Sequence, residues 1–140
     1  MEFDLHPQLE KDCLYVGRFS LSRLILMNDK QFPWFILVPE VSDITEIYQL
    51  NKQERRLLMD ESSYLAEQLA KLFKADKINI AAIGNLVPQL HVHHVVRYRT
   101  DPAWPAPIWG KYPAIPYSQG DKTTLLSLVR ENMAFDREEY

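Results

Sequence analysis

Gln89-Leu90-His91-Val92-His93-His94-Val95-Val96-Arg97-Tyr98 holds three of the protein's four histidines within four residues. Val92, Val95 and Val96 favour an extended backbone, because β-branched side chains suit a pleated surface. Successive side chains on a strand point to opposite faces. Gln89, His91, His93, Val95 and Arg97 therefore share one face. Leu90, Val92, His94, Val96 and Tyr98 share the other, which is mostly apolar and reads as a core face. A strand over residues 90–98 sets the imidazoles of His91 and His93 side by side, with Cα atoms about 6–7 Å apart. His94 then points to the far face as a hydrogen-bonded structural histidine.

Outward from this strand, the pattern is one of short β runs and one long helix. Residues 14–19, 22–28 and 34–38 read as an antiparallel meander, with Asp29-Lys30-Gln31 as a connector and Pro39 as a stop. Residues 1–13 read as a loose lead-in. Asn51 and Glu54 form a capping box, followed by Leu58, Ser62, Leu65, Leu69 and Leu72 at helical spacing. This predicts a helix over residues 50–74 that lays one stripe on a sheet. Residues 78–83 read as a buried strand, and the short turn of residues 84–88 joins it to the histidine strand as a hairpin. Residues 100–117 hold five prolines with Trp104 and Trp109, too proline-rich for regular structure and too aromatic for a disordered linker. An ordered loop against the body of the protein is expected. Residues 121–132 read as a terminal helix capped by Asp121 or Gly120. The whole describes one α+β domain over residues 1–140.

Composition limits the function. A formal charge of −3 gives no basic excess to draw the chain to nucleic acid. The single Cys13 makes no internal disulfide and reads as a small buried hydrophobe. The acidic N-terminus lacks the apolar core of a secretory signal, and no run reaches about 18 apolar residues. A cytoplasmic protein without membrane contact is expected. The four glycines form no phosphate-cradling loop, and no serine nucleophile elbow is present.

Three chemistries fit the His91/His93 face. They could be structural histidines in a sheet. They could share a metal, though zinc needs a third ligand, and only His6, Cys13, Asp29, Asp101 or Glu40 could supply it. They could act on phosphate, since a neutral imidazole is a nucleophile near pH 7 and a second imidazole can bind developing phosphoryl charge.

The strand resembles the signature of the histidine-triad (HIT) superfamily of nucleotide hydrolases and transferases, His-φ-His-φ-His-φ-φ, often continued as Pro-Arg-Tyr. Gln89 stands where the first triad histidine is usual, and His91, His93, Arg97 and Tyr98 fall into place behind it. A register beginning at His91 is the alternative; it puts Val95 at the third histidine. Residues 24–29 resemble the family's early strand ending in Asn or Asp, and residues 35–39 its apolar strand ending in Pro. The likeness spans roughly residues 10–100. The proline- and tryptophan-rich tail resembles a bacterial subgroup with the same Gln-Leu-His-Val-His-His run.

The resemblance implies a HIT-like antiparallel sheet with a long helix on it. It implies His91 as the nucleophile at the α-phosphorus of a nucleotide, a nucleoside phosphoramidate or dinucleoside polyphosphate. His93 then binds a phosphate oxygen, with a backbone carbonyl setting its tautomer, and Gln89 completes the catalytic row. Asn28 meets the ribose and Asn85 the phosphates; Arg97, on the same face as the pair, reaches phosphate or makes a surface salt bridge. It implies a homodimer and no cofactor, with a divalent metal only as the substrate's counter-ion. Two departures stand out. Gln89 cannot titrate, and the glycine-rich segment with a following hydroxyl, common before the triad, is absent. Both motivate a second reading, a nucleotide-binding module with little catalysis.

Overall fold

The computed structural model describes residues 3–136, from Phe3 to Asp136. Helix α1 (Pro7–Asp12) leads into strands β1 (Cys13–Arg18), β2 (Ser22–Met27) and β3 (Trp34–Pro39). After a 3-10 turn at Ile47–Gln49 come helix α2 (Lys52–Phe73), strands β4 (Lys77–Ala81) and β5 (Val92–Arg97), and helix α3 (Gln119–Glu131). The strands form one antiparallel sheet in the order β1-β2-β3-β5-β4. This is the α+β architecture that the resemblance implies.

Alternation along the strands gives the sheet two faces. Leu24, Leu26, Phe35, Leu37, Val92 and Val96 form the main core with Leu58, Leu65 and Leu69 of α2 and Val129 of α3. The amphipathic stripe of α2 is the one its spacing predicts, with Leu58, Ser62, Leu65 and Leu69 buried. Two side-chain bonds pin α2 to β5 and the residue after it: Ser62 to His94, and the Tyr98 hydroxyl donating to the Phe73 carbonyl. On the other face, register places Trp34 beside Val95 and Ile36 beside His93. Two segments roof this second face. Leu9, with Phe3 and Leu5, packs on Ile25, Ile36 and Val38. Ala103 and Ile108 of the proline-rich segment pack on Phe32 and Val95.

Five expectations are corrected. The N-terminus is not a loose lead-in: Pro7 starts α1, the His6 Nδ1 accepts the Gln8 N–H, and Leu9 is buried. Six helical residues are too few for a periodic signal. Strand β4 is an edge strand, half-exposed and ending at Ala81, where a buried strand to residue 83 is expected. The connection from β4 to β5 is accordingly a ten-residue loop, residues 82–91, rather than a tight turn. The histidine strand itself begins at Val92, since the Leu90 N–H bonds the Ile44 carbonyl and leaves the ladder. Helix α3 is capped by Ser118, whose Oγ accepts the Asp121 N–H, not by Asp121 or Gly120.

The capping box of α2 is formed as the sequence predicts. Asn51 Oδ1 accepts the Glu54 N–H and Glu54 Oε1 accepts the Asn51 N–H, both at 2.8 Å. Replacing Asn51 with Ala orphans a helix donor and should lower unfolding stability by about 1 kcal/mol, read as a fall in denaturant midpoint at constant slope.

Candidate active site

Strand β5 is buried at all six positions, so each polar group it carries needs a partner. On the core face, His94 Nδ1 lies 3.0 Å from the Val92 carbonyl and Nε2 lies 2.7 Å from Ser62 Oγ. A carbonyl can only accept, so the proton sits on Nδ1 and the serine hydroxyl donates to Nε2. Burial pushes the His94 pKa down to about 4. His94 is a structural histidine, as its strand parity implies.

On the other face, the rings of His91 and His93 meet edge to face with centroids 4.9 Å apart. His91 Nδ1 is 2.7 Å from the Gln89 carbonyl. Its proton is therefore on Nδ1, and Nε2 keeps its lone pair. His93 is set the opposite way. Its Nδ1 accepts the indole N–H of Trp34 at 2.9 Å. Indole only donates, so a neutral His93 carries its proton on Nε2. Burial first, then the neighbouring His91 and His94, pushes the His93 pKa down to about 3, so the ring is neutral at physiological pH. The partner expected to set this tautomer is a backbone carbonyl; the structure supplies Trp34 instead. The motif could not show this, because Trp34 lies on another strand.

The remaining residues divide. Asn28 follows β2 and lines a cavity of about 370 Å³ with Asp29, Phe32, Trp34, Ile108 and Gly110. His91 and His93 do not line this cavity; His93 adjoins it through Trp34, which lines the cavity and bonds His93. Asn28 Oδ1 accepts the Tyr117 N–H, leaving its NH2 without a protein acceptor among the described residues. The Asp29 carboxylate is buried and does more than end a strand. Its Oδ1 takes the Gln31 N–H, the Gln31 side chain and the Ile115 N–H, which holds the proline-rich segment against the cavity.

Arg97 sits on the histidine face but is only 1% exposed. Its guanidinium is committed to Asp101, Asn79 and the Ala106 carbonyl, and it packs under Trp104. It holds the proline-rich segment down rather than facing the cavity. Asn85 is exposed on the loop after β4 and does not line the cavity. Gln89 is at the head of the row, but its side chain bonds the N-terminal segment. Trp109 stands edge-on to His93 and to Trp34. Among the described residues no three His, Cys, Asp or Glu side chains gather as metal ligands; Asp101 and Glu40 are engaged by arginines. Burial, with Asp12 beside it, pushes the Cys13 thiol up to about 12, so it is no thiolate nucleophile. No helix of the described residues is long and apolar enough to cross a membrane.

Comparison with known proteins accords with this geometry. Residues 8–100 match a family model described as HIT domain. A histidine triad protein from Marinobacter aquaeolei VT8 is 46% identical over 94% of this chain and 96% of its own, with a TM-score of 0.91. One from Sinorhizobium meliloti 1021 is 40% identical over 94% and 97%, and one from Bradyrhizobium japonicum 37% over 94% and 98%, each with a TM-score of 0.91. No curated protein gives a significant match.

His93 and His94, whose pKa values burial lowers, make stability depend on pH. Their folded pKa values, about 3 and about 4, lie below the unfolded value near 6.5. Below that value the unfolded chain binds protons that the folded chain refuses, so stability falls as pH drops from about 6.5 towards 4. Two histidines set a limiting slope of about 2.7 kcal/mol per pH unit. Glu61, whose pKa burial raises, works in the opposite sense and softens the fall. Urea midpoints between pH 7 and 4.5 should show the decline, and H94Q should flatten it. An equal slope in H94Q would refute the assignment.

Proposed function

Since the chain belongs to the histidine-triad (HIT) family, we propose that it is a nucleotide hydrolase or nucleotidyl transferase acting at an α-phosphate. The observation that carries this reading is the pair of opposed tautomers. The His91 Nε2 offers a lone pair and the His93 Nε2 offers a proton, and neither atom has a protein partner among the described residues. A nucleophile and a donor side by side suit attack on a phosphoryl group whose oxygens gain charge.

In this reading His91 Nε2 attacks the α-phosphorus. The N–P bond forms as the bond to the leaving group breaks, and the leaving group departs with that electron pair and takes a proton from solvent. His93 donates to a non-bridging oxygen throughout. Water then cleaves the N–P bond of the nucleotidyl-histidine, its oxygen going to phosphorus and a proton returning to solvent, and a nucleoside monophosphate is released. When another nucleophile replaces water, the result is transfer. Asn28 meets the ribose with its free NH2, and the Phe32, Trp34 and Ile108 walls of the cavity take the base. The substrate is a nucleoside phosphoramidate or a dinucleoside polyphosphate. His91 and His93 do this work without a cofactor, and a divalent ion enters only as the counter-ion of a polyphosphate. Arg97 and Asn85 contribute nothing to phosphate binding in this reading.

Replacing His91 with Ala should cut turnover of adenosine phosphoramidate by about a thousandfold or more while leaving adenosine monophosphate binding measurable by calorimetry. Unchanged turnover would sink the mechanism. Adenosine monophosphate binding by the wild type without turnover of any nucleotide substrate would favour the binding module instead. Trp34→Phe removes the donor that fixes His93 and should lower kcat about tenfold, the worth of one hydrogen bond. Replacing Trp34 with His, which can still donate, should recover part of the loss.

A further inference from the structure

Gln89 occupies the head of the histidine row, yet its amide is spent elsewhere. Oε1 accepts the His6 backbone N–H at 2.8 Å, and Nε2 donates to the Asp4 carbonyl at 2.9 Å. The side chain thus pairs with a stretch of backbone as a peptide group would, one bond each way. A carboxylate cannot donate the second bond. An imidazole holds its donor and acceptor on opposite edges of a rigid ring, where they cannot meet neighbouring backbone groups together.

From this latch the chain crosses the histidine face of the sheet. Leu9 anchors it on Ile25, Ile36 and Val38, and α1 then delivers Lys11 and Asp12 to the cavity that Asn28, Asp29 and Trp34 line from below. Asp12 accepts the Gln8 side chain. Lys11 has no ion-pair partner among the described residues and is the one lysine or arginine on the cavity wall. The opposite wall comes from the proline-rich segment, through Tyr112 and its neighbours. The groove is therefore bounded by two segments that lie on the sheet, and one of them is fastened at the residue before the reacting row. The same residue's carbonyl orients His91.

We propose that Gln89 is a positioning residue whose amide latches residues 4–12 as one wall of the nucleotide groove, and that Lys11, carried by that wall, contacts the phosphate of the bound nucleotide. The proposal rests on the nucleotide reading of the site and adds to it a role for the residue at the first place of the row. Releasing the latch lowers the fraction of molecules with the wall in place, and apparent affinity falls by that fraction.

The test uses the full chain with adenosine monophosphate as probe, so it reads the groove whether or not turnover is found. Gln89→Ala should weaken binding by about tenfold, the equivalent of the two lost hydrogen bonds after solvent compensation. Gln89→Glu should do nearly the same. Hydrogen exchange at the amides of residues 6–12 should quicken in both, with α2 and β5 unchanged. Lys11→Met should weaken binding several-fold and flatten its salt dependence. In the double variant the Lys11 effect should shrink, because its wall is already released. Unaltered exchange in Q89A overturns the latch, and unaltered affinity in K11M overturns the contact. A higher kcat in Gln89→His would show that this place serves proton relay and would overturn the positioning role. Binding without turnover in the wild type defeats the hydrolase reading alone, whereas no binding at all defeats the groove and this proposal together.

Discussion

Strand β5 is covered on both faces, and that burial governs the site. A polar group taken from water costs free energy unless it is hydrogen-bonded. The strand nonetheless carries two histidines and an arginine at its six buried positions, with a third histidine just before it. His94 is satisfied by Ser62 and the Val92 carbonyl, and Arg97 by Asp101, Asn79 and the Ala106 carbonyl. The Nδ1 atoms of His91 and His93 are satisfied by a carbonyl and an indole. What remains is the two Nε2 atoms, one a lone pair and one a proton. The surrounding structure spends every other polar atom of the row and leaves these two without a protein partner among the described residues.

The contrast between the two Nδ1 partners makes neighbouring rings chemically unlike. Both side chains are imidazoles on one face, and strand spacing alone treats them alike. A carbonyl beside one and an indole beside the other fix opposite tautomers, because each partner has only one hydrogen-bonding role. Charge on His93 is further opposed by burial and by His91 and His94. His93, held neutral at physiological pH, keeps its Nε2 proton beside the His91 ring.

Much of the fold is legible from local pattern. The valines of β5, the Asn51 capping box and the leucine stripe of α2 each carry a period or a cap that local rules read directly. The division of β5 into a His93 face and a core face follows from parity. The rest depends on pairings far apart in sequence. Trp34 reaches His93 across 59 positions, and Gln89 reaches His6 across 83. Arg97 shows the limit in another way. Its place on the histidine face is read correctly from parity, but its partner Asp101 lies four residues on, beyond the end of the strand. Parity tells which way a side chain leaves the backbone, not what it meets.

Gln89 joins these strands of argument. A titratable residue lost from the head of a histidine row reads, from sequence, as a loss of chemistry. In the fold the same amide holds two backbone groups of the N-terminal segment, which a histidine's geometry cannot do. Its carbonyl, meanwhile, still sets the tautomer of His91. From this position His91 takes only the carbonyl, which any residue provides. The side chain is therefore free to serve another purpose, and here it fastens the segment that walls the groove.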